Sequence, residues 1–251
     1  RYYNAIQRPN LMIKIPGTPE GLPAVEAAIS EGINVNVTLL FSVQSYIDTA
    51  WAYIRGLEAR AAKGQDVRNL ASVASFFLSR IDSKVDDRLD ALAAEADDSD
   101  RTAQLQAAKG KVAIANAKLA YQEYKQIIAG DRWQALAAKG ARVQRLLWAS
   151  TSTKNPAYSD VMYVDELIGP DTVNTLPPNT IEACADHCDV ASRIETDVES
   201  AQQLIATLPD LGLDLDQVMA ELLDEGIDKF IQPFDKLMDA LVTKVKQLEP
   251  A

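Results

Sequence analysis

The sequence predicts an α/β fold of the (β/α)8 barrel kind, with about five of the strands inside these 251 residues. Three observations predict it. Short apolar runs alternate with helical stretches, and strand–helix–strand units with right-handed crossovers imply a parallel sheet. The strand around Asn36 carries polar residues along one face, which an open sheet buried on both sides does not accommodate. Lys14, Asn36, Thr38 and Ser75 all fall toward the C-terminal halves of their strands, where a barrel turns polar side chains into its upper lumen. Five strands do not close a barrel, so three more are expected ahead of Arg1, and the barrel domain spanning residues 1–251 is read as N-terminally incomplete.

Taken in order, residues 1–4 read as the end of a helix already under way. Residues 11–16, Leu-Met-Ile-Lys-Ile-Pro, form an apolar strand with one ammonium group, Lys14, and stop in the tight loop Pro16-Gly17-Thr18-Pro19. Residues 20–31 have helical spacing, closed by Gly32. Residues 33–42 alternate with period two, with Val35, Val37, Leu39 and Phe41 on one face and Asn34, Asn36, Thr38 and Leu40 on the other. Residues 43–63 are helical, and residues 71–79 give the third strand, ending at Arg80-Ile81-Asp82.

A long helical segment, 82–140, separates that strand from the next. It divides into helices at 84–96, 102–129 and 131–139, with the acidic run Asp97-Asp98-Ser99-Asp100 as a solvated turn. Residues 142–150 are the fourth strand, followed by the polar loop Thr-Ser-Thr-Lys-Asn-Pro at 151–156. A short helix is expected at 161–168, a short strand at 172–176, and a helix capped by Asn179. The C-terminal helices, at 195–208, 214–225 and 228–248 of the segment 195–251, are expected to pack on the barrel.

Composition bounds the function. The net charge of −11 argues against nucleic acid or an anionic membrane as partner, so an anionic substrate needs its own local cations. No apolar run approaches a membrane span, and the first residues are no signal peptide. Two cysteines, Cys184 and Cys188, suggest a reducing, cytoplasmic compartment. Cys184, His187 and Cys188 invite a zinc reading, but a structural site wants four ligands and His187 is the only histidine. No metal is expected. Ser42 and Ser45 have no histidine nearby, so a serine triad has no support.

A lysine in an apolar strand is costly as a cation, because desolvation lowers its pKa, and its neutral amine makes Schiff bases with carbonyls. An edge-strand lysine that snorkels to water is the alternative.

Leu-Met-Ile-Lys-Ile-Pro-Gly-Thr and Gly-Ile-Asn-Val-Asn-Val-Thr-Leu-Leu-Phe-Ser closely resemble transaldolase, and Trp-Ala-Ser-Thr-Ser-Thr-Lys-Asn-Pro resembles its longer cyanobacterial and actinobacterial type. The resemblance covers essentially the whole chain. It implies a (β/α)8 barrel that uses no metal or organic cofactor. The implied reaction moves a dihydroxyacetone unit from sedoheptulose 7-phosphate to glyceraldehyde 3-phosphate, giving erythrose 4-phosphate and fructose 6-phosphate in the pentose phosphate pathway. Lys14 would be the Schiff-base lysine on the fourth barrel strand, so the strands here would be the fourth to the eighth. Asn36 and Thr38, on the fifth strand, would bind substrate and position a catalytic water. Ser75 and Arg80, around the sixth, would hold hydroxyl and phosphate groups. Lys154 falls roughly where shorter members of the family carry a second phosphate-binding arginine. The family's general acid/base aspartate lies on the first strand, its asparagine on the second and its glutamate on the third, all outside these residues. The alternatives are a fragment or non-catalytic sugar-phosphate-binding remnant and a lysine aldolase that cleaves without transfer. A salt bridge to Asp82 is the structural alternative for Arg80.

Overall fold

The computed structural model describes residues 1–248. A short α1 (Tyr2–Ile6) precedes β1 (Ile13–Pro16), α2 (Leu22–Ser30), β2 (Val35–Leu40), α3 (Val43–Ala62) and β3 (Ser72–Phe77). Four helices follow before the next strand: α4 (Ser79–Glu95), α5 (Ser99–Ala108), α6 (Val112–Ala129) and α7 (Asp131–Ala137). Then come β4 (Arg145–Ala149), α8 (Met162–Glu166), β5 (Thr172–Asn174), α9 (Pro178–His187), α10 (Val198–Thr207) and α11 (Leu215–Leu248).

All four strand pairs are parallel and the strands lie in sequence order, β1 to β5, with β1 and β5 at the edges. The C-terminal ends of the strands therefore share one rim. One apolar cluster lies between the sheet and its helices, running from Val25 and Ile29 through Val35, Val37, Phe76 and Trp148 to Val85, Leu89 and Leu222. Trp148 reaches through this layer and donates its indole N–H to the Leu167 carbonyl at 3.0 Å.

The helix starts follow local chemistry. Ser42 and Ser45 form a reciprocal capping box at α3. Asp98 accepts from the Asp100 and Arg101 amides to start α5, so the acidic run contains a cap as well as a turn. Gly32, with φ +90, ends α2 in the left-handed conformation expected of a glycine there.

Several boundaries differ from the sequence reading. Helix α4 starts at Ser79, not near residue 84, because Leu78 and Ser79 give their amides to Ala149 and Ser150 and the chain turns helical at once. The helix expected at 102–129 breaks at Gly110, whose φ of +67 suits glycine. Asn179 does not cap α9. Pro177 occupies that position, and Asn179 lies inside the first turn. The alternation along β2 fails at Leu39, whose φ of +63 accompanies a register shift between Val37 and Leu40. Helix α11 runs unbroken through Gly226 and Pro233, where two helices were expected.

Two carboxylates on α4 tie the helical segment together. Asp82 accepts from the Ala113 amide at 2.8 Å and the Tyr163 hydroxyl at 2.7 Å. Asp86 accepts from the Gly110 amide at 3.0 Å and the Tyr158 hydroxyl at 2.6 Å. They thus anchor the start of α6 and both ends of the segment that leads into α8. Burial, with a smaller push from the Asp86 charge, raises the Asp82 carboxyl from its ordinary 3.8 to about 6, even though both hydrogen bonds oppose the shift.

Two outcomes are expected. A raised folded-state pKa means that the folded protein binds the Asp82 proton more tightly than the unfolded chain. This group's contribution should therefore fall as pH rises from about 4 to about 6 and stay level above. Urea unfolding across that window should show the decline in the wild type and a flatter profile in Asp82→Asn; parallel profiles would remove Asp82 as its source. Gly21, at the start of α2, has room for no Cβ, which would sit 2.1 Å from the Pro16 carbonyl oxygen. Gly21→Ala should cost about 1–3 kcal/mol, read as a lower thermal midpoint.

Candidate active site

The site is built from β1, β2 and β3. Thr38 and Ser75 lie past the midpoints of their strands, but Lys14 and Asn36 are each the second residue of theirs, not toward the C-terminal halves expected from the sequence, because the ladders begin only at Ile13 and Val35. In the ladder Lys14 lies opposite Asn36. From β3, Ser75 is buried and donates its hydroxyl to Asn36 Oδ1 at 2.7 Å. That bond occupies the amide oxygen of Asn36 and leaves its NH2 group as the donor for anything in the lumen. Thr38, two residues on, is buried, and its Oγ1 has no protein partner among the described residues. A buried hydroxyl of this kind calls for a water or a ligand group.

Lys14 lies on the edge strand and is exposed overall, with its amine only partly desolvated. Burial first, and then repulsion from the Arg80 guanidinium, hold its amine below the ordinary lysine value. Arg80 comes from the first turn of α4, one residue past Ser79, and its guanidinium lies 5.0 Å from the centre of the Phe77 ring. It forms no ion pair with Asp82, which is turned inward to Ala113 and Tyr163. The guanidinium fork therefore remains available.

The loop after β4 is tied to the same rim. Ser79 and Ser150 share a hydroxyl–hydroxyl hydrogen bond at 2.8 Å, and Thr151 donates to the Thr175 carbonyl at 2.9 Å. Ser150 takes φ +58 at this junction. Lys154 is exposed and donates to Ser152 Oγ at 2.8 Å, so its contact is within its own loop and not with the Lys14 row.

Lys14 and Asn36 are thus ladder partners, Ser75 reaches Asn36 from two residues beyond its partner Val73, Thr38 lies two residues past Asn36, Arg80 acts on Lys14 electrostatically, and Lys154 stands off on a neighbouring loop. One neighbour escaped the sequence reading. Phe230 of α11 holds its ring centre 6.0 Å from Lys14 Nζ. Nothing local marks it, because it is far along the chain and lies in an ordinary amphipathic helix.

The zinc-like trio does not assemble. His187 pairs with Asp160 at 2.8 Å and Asp186 at 3.1 Å, and both cysteines are free thiols. Among the described residues, no group of three or more histidine, cysteine or carboxylate side chains is arranged to hold a metal. No described helix is long and apolar enough to cross a membrane.

Comparison with known proteins gives a consistent result. The chain is 69% identical to a transaldolase of Trichodesmium erythraeum and 70% identical to transaldolase 2 of a Nostoc species, in each case over 100% of this chain and 66% of the relative. It is 47% identical to a transaldolase of Saccharopolyspora erythraea over 98% of this chain and 64% of the relative. The chain therefore spans just under two thirds of the length of the curated relatives it matches. Residues 1–241 match the family described as Transaldolase/Fructose-6-phosphate aldolase, and the chain belongs to that family.

Proposed function

We propose that this chain carries the Schiff-base machinery of a transaldolase. The observation that supports it best is Lys14: an amine held below its ordinary pKa within the edge strand β1, with Asn36 opposite it in the ladder. The reading places β1 to β5 as the fourth to eighth strands of a single (β/α)8 barrel domain, with α10 and α11 packed on it. The work would be cytoplasmic, with phosphorylated ketoses and aldoses as substrates.

In this mechanism the neutral Lys14 Nζ attacks the carbonyl carbon of the ketose, and water leaves to give an iminium. The iminium draws the electron pair of the C3–C4 bond toward itself. As the C4 hydroxyl loses its proton, that bond breaks, the first aldose departs, and an enamine remains on Lys14. The enamine attacks the aldehyde carbon of a second aldose, whose oxygen takes up a proton. Hydrolysis then frees the new ketose and restores the amine. The Asn36 amide N–H groups and the Thr38 hydroxyl would bind substrate hydroxyls and the water that is lost and regained. Ser75 would hold Asn36 and contact a hydroxyl, Arg80 would grip phosphate, and Lys154 would meet a second phosphate from its loop. Proton transfer at the C4 hydroxyl is assigned to the family's first-strand aspartate, on one of three strands that the reading places ahead of β1.

A second reading is favoured by the matched family itself, whose description joins transaldolase with fructose-6-phosphate aldolase. Fructose 6-phosphate supplied alone separates the two. An aldolase releases free dihydroxyacetone continuously, whereas a transaldolase keeps it bound until an acceptor aldose is added.

Incubating the complete protein with fructose 6-phosphate and borohydride should fix a dihydroxyacetone unit on Lys14, read by peptide mass. Lys14→Arg should abolish both trapping and transfer, since a guanidinium stays protonated. Turnover with labelling at another lysine, or at none, would reject the assignment. Arg80→Ala should lower kcat/KM for phosphorylated substrates about ten- to a hundredfold, matching roughly 1.5–3 kcal/mol for a charged hydrogen bond. Activity on an unphosphorylated ketose should change little. Equal losses on both substrates would make Arg80 structural.

A further inference from the structure

The first turn of α4 has no cap of its own. Leu78 stands at the cap position and offers no side-chain acceptor, so the turn is fixed from outside. On its inner side Asp82 holds it to Ala113 and Tyr163. On the rim side it is held by the end of β4. The Leu78 and Ser79 amides donate to the carbonyls of Ala149 and Ser150, each at 3.0 Å, and the Ser79 and Ser150 hydroxyls share a bond at 2.8 Å. Ser79 is 1% exposed, so water does not compete for its hydroxyl.

Ser150 takes the left-handed backbone, with φ +58. That region is strained for a residue with a Cβ and free for glycine. Glycine, however, lacks the hydroxyl that meets Ser79. Such an outlier persists only where its surroundings hold it, and here they do. The next residue, Thr151, is buried and donates to the Thr175 carbonyl at 2.9 Å. Thr175 in turn donates its amide and its hydroxyl to the Trp148 carbonyl, at 3.1 and 2.9 Å. Ser150 is thus braced from the end of β5 on one side and clasps α4 on the other.

Two cations hang from this clasp. Arg80 directly follows Ser79, and its guanidinium lies over the Phe77 ring, which packs against Phe41 with ring centres 5.2 Å apart. Lys154 follows Ser150 on the polar loop.

We infer that Ser79 and Ser150 are positioning residues for anion binding: their hydroxyl pair sets Arg80 at a fixed distance from the 151–154 loop, so that a phosphoryl group is met between them. Neither hydroxyl has to touch the substrate, because each acts through the other. The inference rests on Arg80 gripping phosphate and adds the parts that hold the grip in place. The Phe77 ring sets the tilt of the guanidinium, and the clasp sets the helix turn from which it springs.

The test uses the complete protein, with fructose 6-phosphate as substrate and inorganic phosphate as competing anion. Ser79→Ala should raise the KM for fructose 6-phosphate and the inhibition constant of inorganic phosphate together, each about two- to tenfold, with kcat nearly unchanged. Labelling of Lys14 by dihydroxyacetone and borohydride, which needs no anion, should keep its rate. Ser150→Ala should match Ser79→Ala, and the double variant should be no worse than either, because both remove the same bond. Ser150→Gly, which takes the left-handed backbone without strain, gives the same comparison if Ser150→Ala folds poorly. Additive losses, or a loss confined to the Ser150 variants, would mean that the hydroxyls meet the anion separately and overturn the clasp. Wild-type constants in Ser79→Ala, or an equal slowing of dihydroxyacetone labelling, overturn it as well. Each of these results leaves the grip of Arg80 standing as long as Arg80→Ala weakens inorganic phosphate. If Arg80→Ala leaves phosphate inhibition unchanged, the reading of Arg80 falls and this inference falls with it.

Discussion

The lateral register of three strands fixes everything at the rim. Lys14 meets Asn36 because β1 and β2 pair Ile13 with Val35, and Asn36 is held by Ser75 from the next strand. Side chains alternate along a strand, so a slip of one residue would send Lys14 to the helix side and bring an isoleucine into the lumen. The Ser75–Asn36 bond reinforces that register chemically, since it gives the buried Ser75 hydroxyl a partner in the half-buried Asn36 amide. It also decides the polarity of the site. With one lone pair of its oxygen engaged, Asn36 presents its N–H groups foremost, which suits the binding of substrate oxygens in the proposed function.

The charges at the rim are arranged against the character of the whole molecule. A chain of net charge −11 concentrates Lys14 and Arg80 at one end of the sheet, with Lys154 on an adjoining loop. Arg80 has two effects on the same chemistry. Its guanidinium is open for an anion, and its field helps keep the amine of Lys14 neutral. In the proposed function, a phosphate that neutralises Arg80 would relax the second effect, and the amine would be most easily deprotonated before the anion is seated.

Much of this was legible in the sequence. The five strands fall where apolar runs and period-two alternation place them, because a sheet packed on helices imposes that pattern. Lys14, Asn36 and Ser75 were legible as polar interruptions of apolar strands, but their level along the strands was not, because that depends on where the ladder begins and Lys14 and Asn36 are each second in theirs. The helical segment was harder. Its break at Gly110 depends on Asp86 and Tyr158, which approach from distant parts of the chain. Gly226 and Pro233 read as interruptions because each weakens a helix locally, yet α11 continues through both. At Gly226 the reason is tertiary, since the missing side chain lets the helix settle on Leu39. The bend of β2 at Leu39 had no local signal, as leucine seldom adopts a left-handed backbone. Phe230 was illegible for the same reason: its approach to Lys14 depends on where the helix lands.

The contact between Leu39 and Gly226 also bears on the order of events in folding. It joins the second strand to the last helix, across most of the described chain. Contacts of such wide sequence separation carry a large loop-closure cost and form after the local ones. The βα units around β1, β2 and β3 contain the register that aligns Lys14, Asn36 and Ser75, and they can assemble without α11. The sheet would then set the register of its lysine before the last helix arrives, and the docking of α11 on Leu39 would complete the fold in a separate, later step.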